Sequence, residues 1–245
     1  MGKKGGKIAG TNSSKSLRPM KDIAYDQLEH LIVHDRLPAG TMVSEVDLAE
    51  QLGMGRTPVR EALQRLARDG LVVIHPRRGV MVSEMNIARQ LELLEVRRPL
   101  EQLIATCAAR RASTEERNLM LENANLAEET AAAGDGDAFF EATRNNHLLL
   151  EKAAHNGVVR NVMGLIHGSS RRDWYAHYRQ FGDLERAAIA HANLLRSIAF
   201  GKEAEASENA NILVAYLEEF TRATVGSYAS RDREPLVLEK AENNS

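Results

Sequence analysis

The sequence predicts a mainly α protein in two parts, a small three-helix unit closed by a hairpin and then an all-α helical bundle. Three observations predict it. Apolar residues recur at the three-and-four spacing of buried helix faces along most of the chain. Short β-branched stretches with strand character, "LVVIH" and "VMVS", flank the turn sequence "PRRG". Beyond residue 85 the helical pattern is broken only by short turn sequences. A length of 245 residues is enough for two cores, and 43% hydrophobic against 27% charged residues is the balance of a chain that folds. No run approaches the roughly 18 apolar residues of a membrane span, and the N-terminus has no signal-peptide core, so the expectation is a cytoplasmic protein with no membrane partner. The single cysteine, Cys107, excludes an internal disulfide and sits in an Ala-rich helical pattern, where a buried, inert thiol is expected rather than a nucleophile.

Residues 1–20 carry five Lys or Arg, no acid and no periodicity, and are expected to form a flexible basic arm, either a solubilising tail or a contact for a polyanion. Residues 21–84 form the small unit. A helix starts at Lys21 with Ile23, Leu28, Leu31 and Ile32 on its apolar face and stops at "RLPAG". A second follows Ser44 as N-cap, with Val46, Leu48, Ala49 and Leu52 expected on its buried face. After the turn "GMG", Thr57 suits an N-cap and Pro58 the first helical position. Val59, Ala62, Leu63, Leu66 and Ala67 give that third helix its buried stripe, and Gly70 can close it in the left-handed conformation. Its other face holds Arg60, Gln64 and Arg68, with Arg56 just before the first turn. A two-stranded hairpin completes the unit.

Three helices with a tight turn before the third, then a hairpin, are the outline of a winged helix-turn-helix. Charge agrees: residues 53–80 hold six arginines against Glu61 and Asp69, although the whole chain is at −2. A helix N-terminus offers unpaired N–H groups and partial positive charge, so arginines placed there suit phosphates and guanine edges. The candidate DNA-contacting residues are Arg56, Thr57, Arg60 and Gln64, with Arg77 and Arg78 at the hairpin tip. Arg68 is expected only to solvate its helix.

Residues 85–230 read as a bundle of about six helices, over 87–111, 114–133, 137–155, 158–178, 184–200 and 202–228. Ser113 and Glu116 form a capping box, Asp135 or Asp137 and Asp183 suit later N-caps, Gly201 suits a terminator, and Pro99 should bend the first helix. Residues 231–245 are expected to be a flexible tail. Trp174, Tyr175 and Tyr178 cluster on one helix, with core the expected role and pocket lining the alternative.

The block "LPAGTMVSEVDLAEQLGMGRTPVREALQRLARDGLVVIHPRRGVMV" resembles the DNA-binding domain of GntR-family transcription regulators. The segments "LLEVRRPLE", "HLLLEKAAHN" and "HANLLRSIAFGKEAEA" resemble the FCD ligand-sensing domain of its FadR-type branch. The resemblance implies a homodimer on an inverted-repeat operator in double-stranded DNA, a repressor role, a small organic acid effector and no enzymatic activity. It implies operator contacts from Arg56 and Arg60, and close approach to the minor groove at Gly79. Two positions depart: Val46 stands where the family commonly has a DNA-touching arginine, and Gly55 where it has a phosphate-bonding Ser or Thr. In the sensing domain it places Arg97, Thr143, His147, Asn156 and His191 at effector-binding positions. The family's divalent metal, Zn²⁺ or Ni²⁺, takes an aspartate and three histidines. Here His147 and His191 match, while Thr143 and Leu213 fill the other two places, and His167 and His177 have no spacing that demands the role. Two pocket histidines that hydrogen-bond an effector or each other are the expected arrangement, and no cofactor follows with certainty. The alternative for Arg97, of equal weight, is a surface ion pair with Glu95 or Glu101. The competing classes are a metal-dependent helical-bundle enzyme using His147 and His191, and an interaction module that has lost DNA binding.

Overall fold

The computed structural model describes residues 18–224, so the arm expected over 1–20 lies almost wholly outside the described residues and the tail over 231–245 wholly outside. The N-terminal unit runs α1 (Met20–Val33), β1 (Met42–Val43), α2 (Glu45–Gln51), α3 (Arg56–Arg68), β2 (Val72–His75) and β3 (Gly79–Val82). Six helices follow: α4 (Ile87–Arg111), α5 (Thr114–Ala132), α6 (Gly136–Ala153), α7 (Gly157–Phe181), α8 (Leu184–Ala199) and α9 (Glu203–Ala223). This is the mainly α architecture expected, a winged helix-turn-helix followed by a helical bundle. No helix among the described residues is long and apolar enough to cross a membrane.

The helix starts follow local hydrogen-bond chemistry. Ser44, Ser113, Asp135 and Asp183 each accept a backbone N–H from the first turn of the helix they precede, and Ser113 with Glu116 completes the reciprocal capping box. Helix α3 departs from expectation: it begins at Arg56 with Gly55 as N-cap, so Thr57 is no cap and Pro58 is the third helical residue. Proline is still tolerated there, because the first four N–H groups of a helix have no partner within it. Gly70 (φ 76°) ends α3 as expected: its N–H reaches Ala67 O at 3.2 Å while Leu71 N–H reaches Leu66 O at 2.9 Å, the paired bonds of a Schellman turn. Helix α4 continues through Pro99.

Two further expectations need correction. The hairpin is part of a three-stranded sheet in the order β1-β3-β2, with Met42 opposite Met81 and Val43 opposite Val80. A two-residue strand is too short to display alternation. The sheet also accounts for Gly79 (φ 114°), where a Cβ would lie 2.6 Å from Val43 O, so a side chain there would push β1 away. Val46, expected on the buried face of α2, is 50% exposed, and Leu48 and Ala49 do the burying.

Ala24, Leu28, Ile32, Leu48, Val59, Leu63, Leu66 and Val82 form the core of the N-terminal unit. In the bundle α4 packs along α9, and α5 along α8. Their contact is lined by alanines such as Ala105, Ala108, Ala124, Ala192, Ala206 and Ala210, small enough to bring helix axes close, with Ile104, Met120, Leu195 and Leu213 filling between them. Trp174 and Tyr178 lie in a separate aromatic core with Phe139, Phe140 and Phe220, and Val33 from α1 reaches into it. Helix α1 therefore belongs to both cores. It packs on α3 with one face and on α7 with another.

Candidate functional site

Two separate regions carry the candidate residues. The first is the exposed side of α3 and the wing. Val59, Ala62, Leu63 and Leu66 bury the opposite stripe, so Arg56, Thr57, Arg60, Gln64 and Arg68 are turned to solvent. Arg77 and Arg78 are exposed in the β2–β3 turn, where Arg77 takes a left-handed φ of 64°. Arg60 is held by Glu45 of α2: Nε donates to both carboxylate oxygens at 3.0 Å and Nη2 donates to Oε2 at 2.8 Å. Hydrogen bonding from Arg60 holds the Glu45 carboxyl below its ordinary range. The pair is open to water, so Arg60 is oriented without being sequestered. Two further bases of α3 are differently engaged. Arg65 lies over the Tyr25 ring, its guanidinium carbon 3.9 Å from the centroid, and Arg68 lines a cleft between α1 and the bundle.

The second region is a cavity among α4, α6, α7, α8 and α9. Arg97, Thr143, His147 and His191 all line it, with Phe139, Trp174 and Tyr216 as its aromatic wall. Asn156 does not join them. Its side chain caps α7, Oδ1 accepting from Val158 and Val159 N–H at 3.2 and 3.3 Å. An asparagine after a helix end and before "GVV" is a sequence signal for an N-cap, and that role prevails here.

Arg97 is 2% exposed, which rules out a surface ion pair. Its Nε donates to Glu101 Oε2 at 2.9 Å, and its Nη2 lies 3.0 Å from His147 Nε2. A guanidinium has only protons to give. His147 Nε2 must therefore accept, which puts the ring proton on Nδ1, a buried atom with no hydrogen-bond partner among the described residues. Burial first, then His167 and Arg97, drive His147 well below the ordinary histidine range and toward its neutral form. Burial and Arg97 likewise bring His191 down to about 4. For Glu101 burial pushes upward but is outweighed by Arg97 and His167, which hold it down at about 2. The cavity is thus lined by the Arg97 half of a buried ion pair and by two imidazoles, His147 and His191, both pushed toward the neutral form. Thr143 donates its hydroxyl to Phe140 O at 2.8 Å.

The sequence does not single out Arg171 as a cavity residue, nor Glu101 and His167 as the residues that contact the cavity's Arg97 and His147. His167 stacks on His147 with centroids 4.2 Å apart and bonds Glu151 through Nδ1 at 2.8 Å. Arg171 lines the cavity and also pairs with Glu29 on α1, a 4% exposed carboxylate. A signal was present for two of them. Leu94, Arg97, Glu101, Ile104 and Ala108 fall on one helical stripe, as do Met163, Ile166, His167, Ser170 and Trp174, so a charge or imidazole within an apolar stripe marks an interior polar site.

The donor set does not fit the metal that the family's sensing domain takes. At the four ligand positions Thr143 has given its proton to a backbone carbonyl, Leu213 is wholly buried among aliphatic side chains, and only His147 and His191 remain. Glu101, His147 and His167 do bring one ligand atom each within 4.8 Å of one another, a second group that could be offered to an ion. There a dication would face the Arg97 guanidinium, already in contact with two of the three residues.

The family model for bacterial regulatory proteins of the gntR family matches residues 21–82, and the FCD domain model matches residues 92–215. The HTH-type transcriptional regulator YdhC of Bacillus subtilis (strain 168) is 31% identical over 142 residues, covering 57% of this chain and 62% of that protein, less than two thirds of its length. The HTH-type transcriptional repressor RspR of Escherichia coli (strain K12) is 27% identical over 208 residues, covering 84% of this chain and 89% of that protein. Among solved structures, E. coli McbR/YncC shares the fold with a TM-score of 0.69 at 18% identity, covering 89% of this chain and 100% of that one. The winged unit with its arginines and the helical bundle with its polar cavity are each matched by a family model, and the chain belongs to the GntR family of bacterial regulatory proteins, with an FCD domain as its larger part.

Proposed function

We propose that this protein is a ligand-responsive, DNA-binding transcription regulator that works as a homodimer in the cytoplasm, represses from an inverted-repeat operator and answers to a small organic acid. The observation that carries the proposal is the exposed arginine surface of α3. Arg56 lies in the first turn and Arg60 one turn later, with Gln64 beyond, on the polar side of a helix whose other side is core. Helix N–H groups and guanidinium groups side by side suit phosphates and guanine edges, and Arg77 and Arg78 extend the basic surface to the wing. Thr57 is free of a capping role and offers a hydroxyl for a phosphate, while Gly79 lets the wing strand lie close against β1. Glu45 orients Arg60.

The effector site in this reading is the Arg97 cavity. Arg97 and the unpartnered N–H of His147 present donors to a carboxylate, and Thr143 and His191 line the rest. No metal is needed to bind an anion there. At about 30 Å³ the cavity holds little more than a water molecule, whereas ligand pockets run from about 300 Å³ upward, so the effector must part the helices to enter. Arg171 makes that movement consequential. A carboxylate in the cavity competes with Glu29 for the Arg171 guanidinium, and losing that partner loosens the hold of α7 on α1, which carries α3. An enzymatic reading would need a nucleophile or a metal-activated water, and His147 is instead tied to Arg97 and stacked on His167, which is held by Glu151.

Gel-shift titration of the protein against the DNA upstream of its own gene, at several salt concentrations, tests the reading. A specific complex whose log affinity falls steeply with log salt is expected. A protein that binds no such DNA, or binds every sequence equally, overturns it.

A further inference from the structure

A second histidine cluster lies on the outside of the molecule, at the joint between the winged unit and the bundle. His30 and His34 are one helical turn apart at the C-terminal end of α1, and Glu141 faces them from α6. One ligand atom from each lies within 4.8 Å of the others, and His30 Nδ1 is 3.8 Å from Glu141 Oε1. Two histidines at i and i+4 share a helix face, the spacing that lets one helix offer two imidazoles to one ion. His34 Nδ1 lies 2.9 Å from His30 O and donates to it, which leaves Nε2 with its lone pair outward; a backbone carbonyl commonly orients a metal-bound imidazole in this way. The His34 ring is further fixed against Phe140 and Tyr175, at centroid distances of 5.5 and 4.4 Å. The C-terminal end of α1 adds the partial negative charge of the helix dipole, which favours a cation. Of the nearby arginines, Arg144 is already engaged by Asp26 at 3.0 Å and Glu29 at 3.8 Å. The cluster opens on a cavity of about 450 Å³ lined also by Gln51, Leu52 and Phe140, which gives an ion an entry path and leaves space for water in the remaining coordination position.

We propose that His30, His34 and Glu141 form a divalent transition-metal site, of the kind that takes Zn²⁺ with two imidazoles, one carboxylate and a water, and that the bound ion ties α1 to α6. A tetrahedral ion with bonds of about 2.0–2.2 Å sets its ligand atoms about 3.4 Å apart. The 3.8 Å between His30 and Glu141 is within about half an ångström of that, while the wider separations, up to 4.8 Å, close by at most about 1.4 Å as the two rings, with centroids 3.8 Å apart, turn toward a common point. The contrast with the interior cluster is one of degree: Arg36 and Arg144 act on His30 through space, but among the described residues no guanidinium hydrogen-bonds either imidazole, and Glu141 offsets them from 3.8 Å. The site owes nothing to DNA binding and stands apart from the effector reading.

The test uses the full chain stripped of metal, titrated with Zn²⁺ against a chromophoric chelator and with Co²⁺ by visible absorption, while thermal unfolding is followed with and without Zn²⁺. The parent protein is expected to bind one equivalent and to melt at a higher temperature when loaded. His30→Ala and Glu141→Gln, both at partly exposed positions, should each weaken binding by at least about 10- to 100-fold and abolish the thermal shift, and circular dichroism checks that they fold. His191→Gln, in the interior cavity, should leave binding intact. The proposal is overturned if the parent binds no equivalent, if both surface variants retain full affinity, or if only the interior variant loses it.

Discussion

Two arginine–glutamate pairs, one in each part of the molecule, have the same chemistry and opposite circumstances. Arg60 and Glu45 join α3 to α2 with side chains 51% and 28% exposed, whereas Arg97 and Glu101 lie one turn apart on α4 at 2% each. In water the pair is cheap to make and cheap to break, since solvent and salt take over either charge. Arg60 can therefore leave Glu45 for a phosphate or a base at little cost. In the interior neither charge has water to fall back on, and each depends on the other and on the imidazoles around it. One arginine is kept available and the other is part of the framework, which is the division expected between a surface that meets a large polyanion and a cavity that admits a small one.

Removing one arginine from each pair sets the two circumstances against each other most directly. Arg97→Met strands the Glu101 carboxylate and should destabilise the fold by about 3–5 kcal/mol in denaturant unfolding, while Arg97→Met combined with Glu101→Leu should restore most of the loss. A loss in the single variant below about 1 kcal/mol would mean that the interior pair is not structural. Acid offers the next largest effect. His191 titrates near 4 in the folded chain and near 6.5 when unfolded, so the unfolded chain takes up the proton first as pH falls. The stability its neutral form contributes is intact above about pH 6.5 and is lost on the way down to 4. His147, pushed in the same direction, adds to the slope. At about 1.4 kcal/mol per unit the His191 contribution is roughly 3 kcal/mol, and an unfolding midpoint that is flat from pH 6.5 to 4 would contradict it. Arg60→Ala should reverse the pattern of the interior variant, weakening specific DNA binding roughly tenfold to a hundredfold in gel shifts while leaving the unfolding midpoint where it was. The smallest effect is expected at Asn146, wholly buried beside His147 with neither side-chain amide atom bonded among the described residues. Asn146→Leu, similar in volume, should raise stability by about 1 kcal/mol in the same assay.

The sequence made the helices legible because periodicity and caps coincide: Ser113 with Glu116, Asp183 and Gly201 each mark an end that the structure places within a residue or two. It misled where a local rule met tertiary competition. Thr57 has the right chemistry for a cap, but the chain enters α3 two residues sooner through Gly55. Val46 continues an apolar stripe on paper and faces solvent in three dimensions, at a position where the family commonly carries an arginine. The cavity was legible in Arg97, Thr143, His147 and His191, which the resemblance brought together from three helices. It was not legible in Arg171, whose two engagements arise from the packing of α7 between the cavity and α1. No spacing along one helix encodes a partner 142 residues away in the chain.

Helix α1 gives its lower turns to one core and its last residue, Val33, to the other. A chimera that grafts a foreign sensor after the wing would keep the DNA-reading half in sequence yet take Arg144 and Arg171 from Glu29, the aromatic core from Val33, and Phe140 and Tyr175 from His34, all of which lie beyond the splice. Modularity on the gene is thus not modularity in the folded chain. Exchange of sensors within this architecture should succeed only when the first helix travels with the sensor or is refitted to it.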